Sequence, residues 1–251
     1  MRILKKLLPR RWLRSVPDAD AYHRLYEHHA ARHPEDTAVG LGSYEVVGEV
    51  ELDVLRAAGL QPHHTLVDFG CGSGRLAMHA IPYLKGGKYI GIDIAPTFLR
   101  QAKRKLAEAY PQPPCQVAWL FNKTTTLPLD DHSADMICAF SVFTHMEHED
   151  MYRYLVDALR VVRPGGRFVF SCLPLDLKYA QTIFQLEAAK DLQKRWSHIR
   201  SVVTTVDFMS MLARMAGWKV QQWYTGDVAN IRSAKGEMRA LGQSTCFLEA
   251  A

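Results

Sequence analysis

Residues 66–77 read L-V-D-F-G-C-G-S-G-R-L-A. An apolar run that begins at Thr65 ends in Asp68, three glycines follow in alternation, and a helical pattern opens at Arg75. The order is strand, tight turn, helix. Gly70, Gly72 and Gly74 let the backbone take positive φ and let a ligand approach the main chain closely. The helix beyond them is expected to offer unpaired N–H groups and the positive end of its dipole. Asp68 at the strand's end makes the pattern D-x-G-x-G-x-G, and a second acid, Asp93, ends the next apolar run, Y-I-G-I-D. An acid there accepts hydrogen bonds from both hydroxyls of an adenosine ribose, at the switch point of a doubly wound sheet.

Outward from this stretch the chain alternates. Lys88–Ile92, Gln116–Phe121, Asp135–Phe140 and Arg167–Cys172 read as strands. Arg75–Leu84, kinked by Pro82, Pro96–Ala109 and Glu149–Val162 read as helices, the last stopped by Pro164-Gly165-Gly166. Short buried strands alternating with helices predict a parallel sheet covered on both faces. Upstream, Asp18 to His33 reads as a helix closed by Pro34, and Tyr44 to Ala58 as another, weakened by Gly48 and capped by Gly59. After Pro174 the rhythm breaks. Leu175–Ile199 reads as one long polar helical stretch, Val206–Ala216 as an apolar helix closed by Gly217, and Trp218–Tyr224 and Gln243–Leu248 as two more strands. The expectation is one α/β domain over 1–251 with about seven strands. Within it, 1–60 form a basic leader and helical cap, 61–174 a cofactor-binding core, 175–205 a helical insertion, and 206–251 a C-terminal helix and strands.

Composition agrees with a globular chain: 251 residues, 48% hydrophobic and 23% charged. It excludes a disordered or low-complexity protein, and no apolar run approaches the ~18 residues that span a bilayer. The formal charge is +5, but six of the 31 Lys and Arg stand in the first 14 residues without an acid among them. The rest of the chain carries 25 basic against 26 acidic side chains, so no basic face for nucleic acid is expected. In the leader, Ile3, Leu4, Leu7 and Leu8 share a helical face opposite Lys5 and Lys6, with Trp12 beyond. This fits either a short helix at a membrane surface or a basic tail limited by Pro9. It is not a secretory signal. Cys71, Cys115, Cys138, Cys172 and Cys246 are odd in number and form no C-x-x-C pair. A disulfide framework and a structural zinc are therefore not expected, and a reducing cytoplasm is. His28, His29 and His33 read as a solvated helix face rather than a metal cluster.

A rival reading is a dinucleotide site, because Gly72–Ala77 matches G-x-G-x-x-A with an acid 21 residues after Gly72. Two features oppose it. Asp68 stands where an ammonium or a ribose is welcome and a diphosphate is not, and about 65 residues precede a loop that usually opens such a chain.

Taken together, V-D-F-G-C-G-S-G-R, G-I-D-I-A, L-P-L-D-D-H-S-A-D-M-I with F-S-V-F-T-H-M, L-R-V-V-R-P-G-G-R-F-V-F-S and the terminal A-G-W-K-V and Q-S-T-C-F-L-E-A resemble the ordered motifs of the class I S-adenosylmethionine-dependent methyltransferases. The likeness covers about Val50 to Cys172 and, loosely, the C-terminus. It implies a Rossmann-like, doubly wound, mostly parallel seven-stranded sheet with helices on both faces and the last strand antiparallel. It implies that Gly70, Gly72 and Gly74 pass the methionine part of the cofactor, with Cys71 and Arg75 in the same loop. Asp68 would orient the ammonium, Asp93 hold the ribose, Ile94 pack on the adenine, and Phe140 and Ser141 line the sulfonium side. The family's acid after the third strand is missing from F-N-K-T-T-T-L-P, where the Asn122 amide oxygen is the substitute.

His145 is the candidate general base. His148 and Glu149 begin the next helix. Tyr22 and Tyr26 either close over the cofactor or pack on the sheet, and Trp196 and Arg200 either meet substrate or lie on a solvated helix. The implied activity is methyl transfer to an oxygen or nitrogen of a small-molecule acceptor by in-line displacement, with no metal. The alternatives are an NAD(P)-dependent oxidoreductase and a cofactor-binding module without turnover. The oligomeric state stays open.

Overall fold

A computed structural model describes residues 20–32 and 43–250. The leader at 1–14, with its amphipathic reading, and His33 with Pro34 lie outside the described residues. The strands are β1 (Thr65–Phe69), β2 (Lys88–Asp93), β3 (Gln116–Phe121), β4 (Ala134–Ala139), β5 (Val162–Cys172), β6 (Lys219–Tyr224), β7 (Ile231–Arg232), β8 (Met238–Arg239) and β9 (Ser244–Glu249). Seven of them form one sheet in the order β3-β2-β1-β4-β5-β9-β6. All pair in parallel except β9, which runs antiparallel to both β5 and β6. The sheet thus has the expected seven strands, with the last one reversed.

β1, β2 and β4 are buried almost throughout, whereas the edge strands β3 and β6 are half-exposed. Successive side chains point to opposite faces, so each strand feeds two cores. On one face Val67, Ile90, Ile137 and Phe168 pack with Leu155 and Met209, from α5 (His148–Val161) and α8 (Val206–Ala216). On the other, Leu66, Tyr89, Met136 and Val169 pack with Val54, Leu55 and Ile81, from α2 (Tyr44–Ala57) and α3 (Ala77–Tyr83). The remaining helices are α1 (Asp20–Arg32), α4 (Pro96–Ala109), α6 (Lys178–Ala188) and α7 (Leu192–Trp196). Strand order reverses between β1 and β4, which leaves a crevice beyond their carboxyl ends.

Four local readings change. The helix after the glycine loop begins at Ala77 rather than Arg75. Pro164, Gly165 and Gly166 belong to the irregular first part of β5, where the register shifts between the Ala134–Val162 and Met136–Arg167 pairs. The stretch 175–199 is two helices: the first ends at Ala188, and Asp191 caps the second, its carboxylate accepting from Lys194 N at 2.7 Å. The hairpin of β7 and β8 was not foreseen. Its two-residue strands are too short for any alternation to show, yet Ile231 is buried in the second core and Arg239 pairs with Glu49 at 2.8 Å. Gly217, at φ 102°, ends α8 as expected. Among the described residues no helix is long and apolar enough to cross a membrane.

Candidate functional site

A cavity of about 680 Å³ opens beyond the carboxyl ends of β1, β2 and β4, within the size range of small-molecule sites. Asp68, Gly70, Cys71, Gly72, Arg75, Asp93, Ile94, Asn122, Phe140, Ser141 and His145 all line it. Gly74 does not. A Cβ built there would sit 3.1 Å from Ala102 Cβ on α4, and its φ is +89°. The third glycine serves close packing between the loop and α4, not approach to a ligand.

The glycine loop is closed by its own hydrogen bonds. Gly70 N and Cys71 N both donate to Ile92 O, at 2.8 and 3.1 Å, and Gly74 N donates to Cys71 O at 3.0 Å. Gly72 N donates to Asp93 Oδ2 at 2.8 Å. The N–H groups at 70, 71, 72 and 74 are thus engaged within the chain, and α3 starts only at Ala77. A diphosphate would need those donors.

Two carboxylates face the cavity instead. Asp93 accepts from Gly72 N through Oδ2 and from Ala95 N through Oδ1 at 2.8 Å. Burial pushes its carboxyl up to about 6, against the pull of those backbone donors. Asp68 accepts from Tyr89 Oη at 2.6 Å, with Cys138 Sγ 3.7 Å from its other oxygen. Burial raises it to about 7, the Tyr89 hydrogen bond opposing. Arg75 does not neutralise it directly. Its Nη2 and Nε pair with Glu51 at 2.5 and 3.2 Å, in a buried bridge from α2 to the loop.

Asn122 corrects a reading. Its amide oxygen accepts from Thr124 N and Thr124 Oγ1 at 3.1 and 2.9 Å, and its amide nitrogen donates to Thr124 O and Thr126 O. The group is fully engaged in folding the 122–126 loop, so its oxygen is not offered to a ligand. Beside it Thr125, which sequence reasoning passed over, lines the cavity with a buried hydroxyl that has no hydrogen-bond partner among the described residues. Nothing in T-T-T separates the middle threonine from its neighbours until the loop is folded.

At the end of β4 the chain turns sharply. Ser141 is in the left-handed region at φ 59°, which a non-glycine residue adopts only when its surroundings hold it. Ser141 N donates to Ser171 Oγ at 2.8 Å, Ser171 Oγ donates to Gln243 Oε1 at 2.6 Å, and Gln243 Nε2 donates to Ser141 Oγ at 3.0 Å. This ring ties β4 to β5 and to the start of β9. It sets up the 3₁₀ turn Phe143–His145. His145 Nδ1 lies 2.9 Å from Arg200 O. A carbonyl only accepts, so Nδ1 carries the proton and Nε2 is the basic nitrogen. Burial lowers the imidazole's pKa, so the ring is neutral near pH 7.

α1 closes the other side. Tyr22 Oη donates to Asp150 at 3.1 Å and accepts from Glu147 N at 3.0 Å, while the Tyr26 ring lies edge-on to His145 at 6.5 Å. Both tyrosines line the cavity, and so do His28 and His29, which the sequence placed on a solvated face. His148 and Glu149 do begin α5. Trp196 and Arg200 do not line the cavity. Trp196 is exposed, and Arg200 pairs with Glu147 at 2.8 Å; Ser197, His198 and Ile199 between them line it. Among the described residues no group of three or more His, Cys, Asp or Glu is placed to hold a metal ion.

Residues 66–166 match the family model of a methyltransferase domain. Over 121 residues the chain is 36% identical to an uncharacterized 37.1 kDa protein from a Streptomyces fradiae transposon, covering 48% of this chain and 32% of that one. Over 130 residues it is 27% identical to a 2-phytyl-1,4-naphtoquinone methyltransferase of Trichormus variabilis, covering 51% and 54%. The chain therefore spans from a third to about half the length of these relatives. Its fold superposes on the magnesium protoporphyrin IX methyltransferase of Synechocystis, solved with S-adenosylmethionine bound, at TM-score 0.61 and 14% identity, over 94% of this chain and 99% of that one.

Proposed function

From the premise that residues 66–166 are a methyltransferase domain of the class I fold, we propose that this chain binds S-adenosylmethionine and transfers its methyl group to an oxygen or nitrogen of a small-molecule acceptor. One observation carries the reading. Two buried carboxylates, Asp68 and Asp93, face one cavity from adjacent strand ends, above a glycine loop whose N–H groups at 70, 71, 72 and 74 are already engaged. Such a site suits a ligand that brings an ammonium and ribose hydroxyls. It does not suit the diphosphate of a nicotinamide dinucleotide. The relatives named above act on a quinone and a porphyrin by their names, which supports a small-molecule acceptor here.

The cofactor supplies a methyl group already activated on a sulfonium. Asp68 holds the ammonium, with Tyr89 fixing the carboxylate's orientation. Asp93 accepts from the ribose hydroxyls with the lone pairs its backbone donors leave free. Ile94 packs on the adenine, and the unpartnered Thr125 hydroxyl takes the polar role that Asn122 cannot. Phe140 and Ser141 wall the reacting side, and Tyr22 and Tyr26 exclude water from above. His145 accepts the acceptor's proton at Nε2, with Nδ1–H anchored on the Arg200 carbonyl. Most of the rate comes from holding acceptor and methyl in line at about 3–3.5 Å.

Calorimetric titration with S-adenosylmethionine, S-adenosylhomocysteine and NAD⁺ in parallel tests this. Binding of the two sulfur nucleotides and not of NAD⁺ is expected. The reverse pattern overturns the reading.

A further inference from the structure

The insertion after Pro174 buries little of its own surface. Within α6 only Ala180 is buried, and within α7 no residue is. Of the eleven large apolar side chains exposed among the described residues, five lie between 179 and 196: Tyr179, Phe184, Leu186, Leu192 and Trp196. Single exposed apolar side chains are ordinary, but their concentration in one segment marks an interaction surface. Leu192 and Trp196, 63% and 55% exposed, stand one helical turn apart and share a face. Lys194 and Arg195 lie in the same turn. From 175 to 200 the chain has five Lys and Arg against three acids. Two of those acids are engaged, Glu187 with Lys190 and Asp191 as the cap of α7.

A run of contacts joins this face to the start of α1. Tyr22 Oη accepts from Glu147 N at 3.0 Å, Glu147 Oε1 accepts from Arg200 Nη1 at 2.8 Å, and the Arg200 guanidinium lies 5.7 Å from the centre of the Trp196 ring. The basic leader ends only six residues before Asp20, the first residue of α1. An extended chain of that length spans at most about 22 Å. The six Lys and Arg of residues 1–14 are therefore tethered beside the exposed Leu192–Trp196 pair.

We infer that this face docks on the surface of an anionic lipid bilayer, with Leu192 and Trp196 entering the headgroup boundary and the leader's cations drawn to the lipid phosphates. Each part alone gives marginal binding, and stable attachment takes two such signals together. An indole suits the boundary because it carries an apolar body and one polar N–H. Charge decides between a bilayer and a second copy of the chain. A second copy would bring six more cations to the same place, whereas an anionic leaflet attracts them. The inference is independent of the methyl-transfer reading, although Ser197, His198 and Ile199, next in the chain, line the cavity.

The test is flotation of the full chain with vesicles of phosphatidylcholine alone, and of phosphatidylcholine mixed equally with phosphatidylglycerol. The native protein is expected to partition onto the anionic vesicles at least about tenfold more strongly than onto the neutral ones, and less so as salt is raised. The double variants Leu192→Gln/Trp196→Gln and Lys5→Glu/Lys6→Glu should each weaken that partition by at least about fivefold. Trp196→Phe, which keeps an apolar ring, should retain most of it. The thermal midpoint of Leu192→Gln/Trp196→Gln should stay at the native value, because both side chains are exposed. Absence of flotation, equal flotation with both vesicles, or flotation that survives Leu192→Gln/Trp196→Gln overturns the inference. So does a dimer in sedimentation that the same double variant dissolves, since a second copy then covers the face.

Discussion

Asp93 Oδ2 accepts the backbone N–H of Gly72 at 2.8 Å. The acid that ends β2 is therefore also the clasp of the glycine loop after β1. The two motifs are not independent ligand contacts; one holds the other in shape. Asp93→Ala leaves the buried N–H groups of Gly72 and Ala95 without acceptors, at about 1–3 kcal/mol each. Urea denaturation should show a loss of about 2–6 kcal/mol, together with loss of S-adenosylhomocysteine binding. Asp93→Asn, which keeps one amide oxygen, should lose less stability.

Asp68 couples pH to both stability and binding. Burial raises its carboxyl from an ordinary 3.8 to about 7 in the ligand-free protein. The folded state thus keeps a proton that the unfolded chain releases. The group's stabilising contribution is complete below about pH 4 and is lost as pH rises through 7. An ammonium beside it favours the ionised form. S-adenosylhomocysteine should then bind more tightly as pH rises from 5.5 to 8 and should release protons, read by calorimetry in buffers of different ionisation heat. Tyr89→Phe removes a donor to the carboxylate and should move this profile to higher pH.

His145→Ala is expected to lower kcat by about 10²- to 10⁴-fold for an acceptor that must lose a proton. S-adenosylhomocysteine affinity should change by less than about threefold, well under a single hydrogen bond's worth. Equal losses in turnover and cofactor binding would make the histidine a packing residue.

Gly70 and Gly74 should separate by mutation. Gly74→Ala places a Cβ 3.1 Å from Ala102 Cβ at φ +89°, so stability should fall by about 1–2 kcal/mol with cofactor affinity retained. Adding Ala102→Gly should recover part of the loss. Gly70→Ala drives a Cβ into Val142 Cγ2 on the cavity wall, and both stability and affinity should fall.

Thr125→Val tests the unpartnered hydroxyl. Removing a buried polar group with no partner should leave the ligand-free protein as stable or more so. Cofactor affinity should fall by about 5- to 10-fold, the worth of one net hydrogen bond. Thermal shift with and without S-adenosylhomocysteine reads both effects.

What the sequence carried is local. The alternation of buried strands and amphipathic helices follows from side-chain periodicity, and the expected spans of β3 and α8 coincide with Gln116–Phe121 and Val206–Ala216. Asp68 and Asp93 could be placed at strand ends because an acid closing an apolar run is visible in the chain itself. The two-residue strands of the β7–β8 hairpin and the break at Asp191 were not legible, since neither extends over a full period.

The tertiary structure decided everything that depends on who reaches whom. Gly74 and Gly70 are alike in sequence, and only the approach of α4 turns one into a packing residue. Asn122 looks like a ligand donor until the 122–126 loop folds back and saturates its amide. His28 and His29 read as a solvated helix face until α1 brings them to the lining of the cavity. Periodicity and turn chemistry act over a few residues and are written in the chain. Hydrogen-bond saturation and burial are set by residues tens of positions away, so they exist only once the fold brings those residues together.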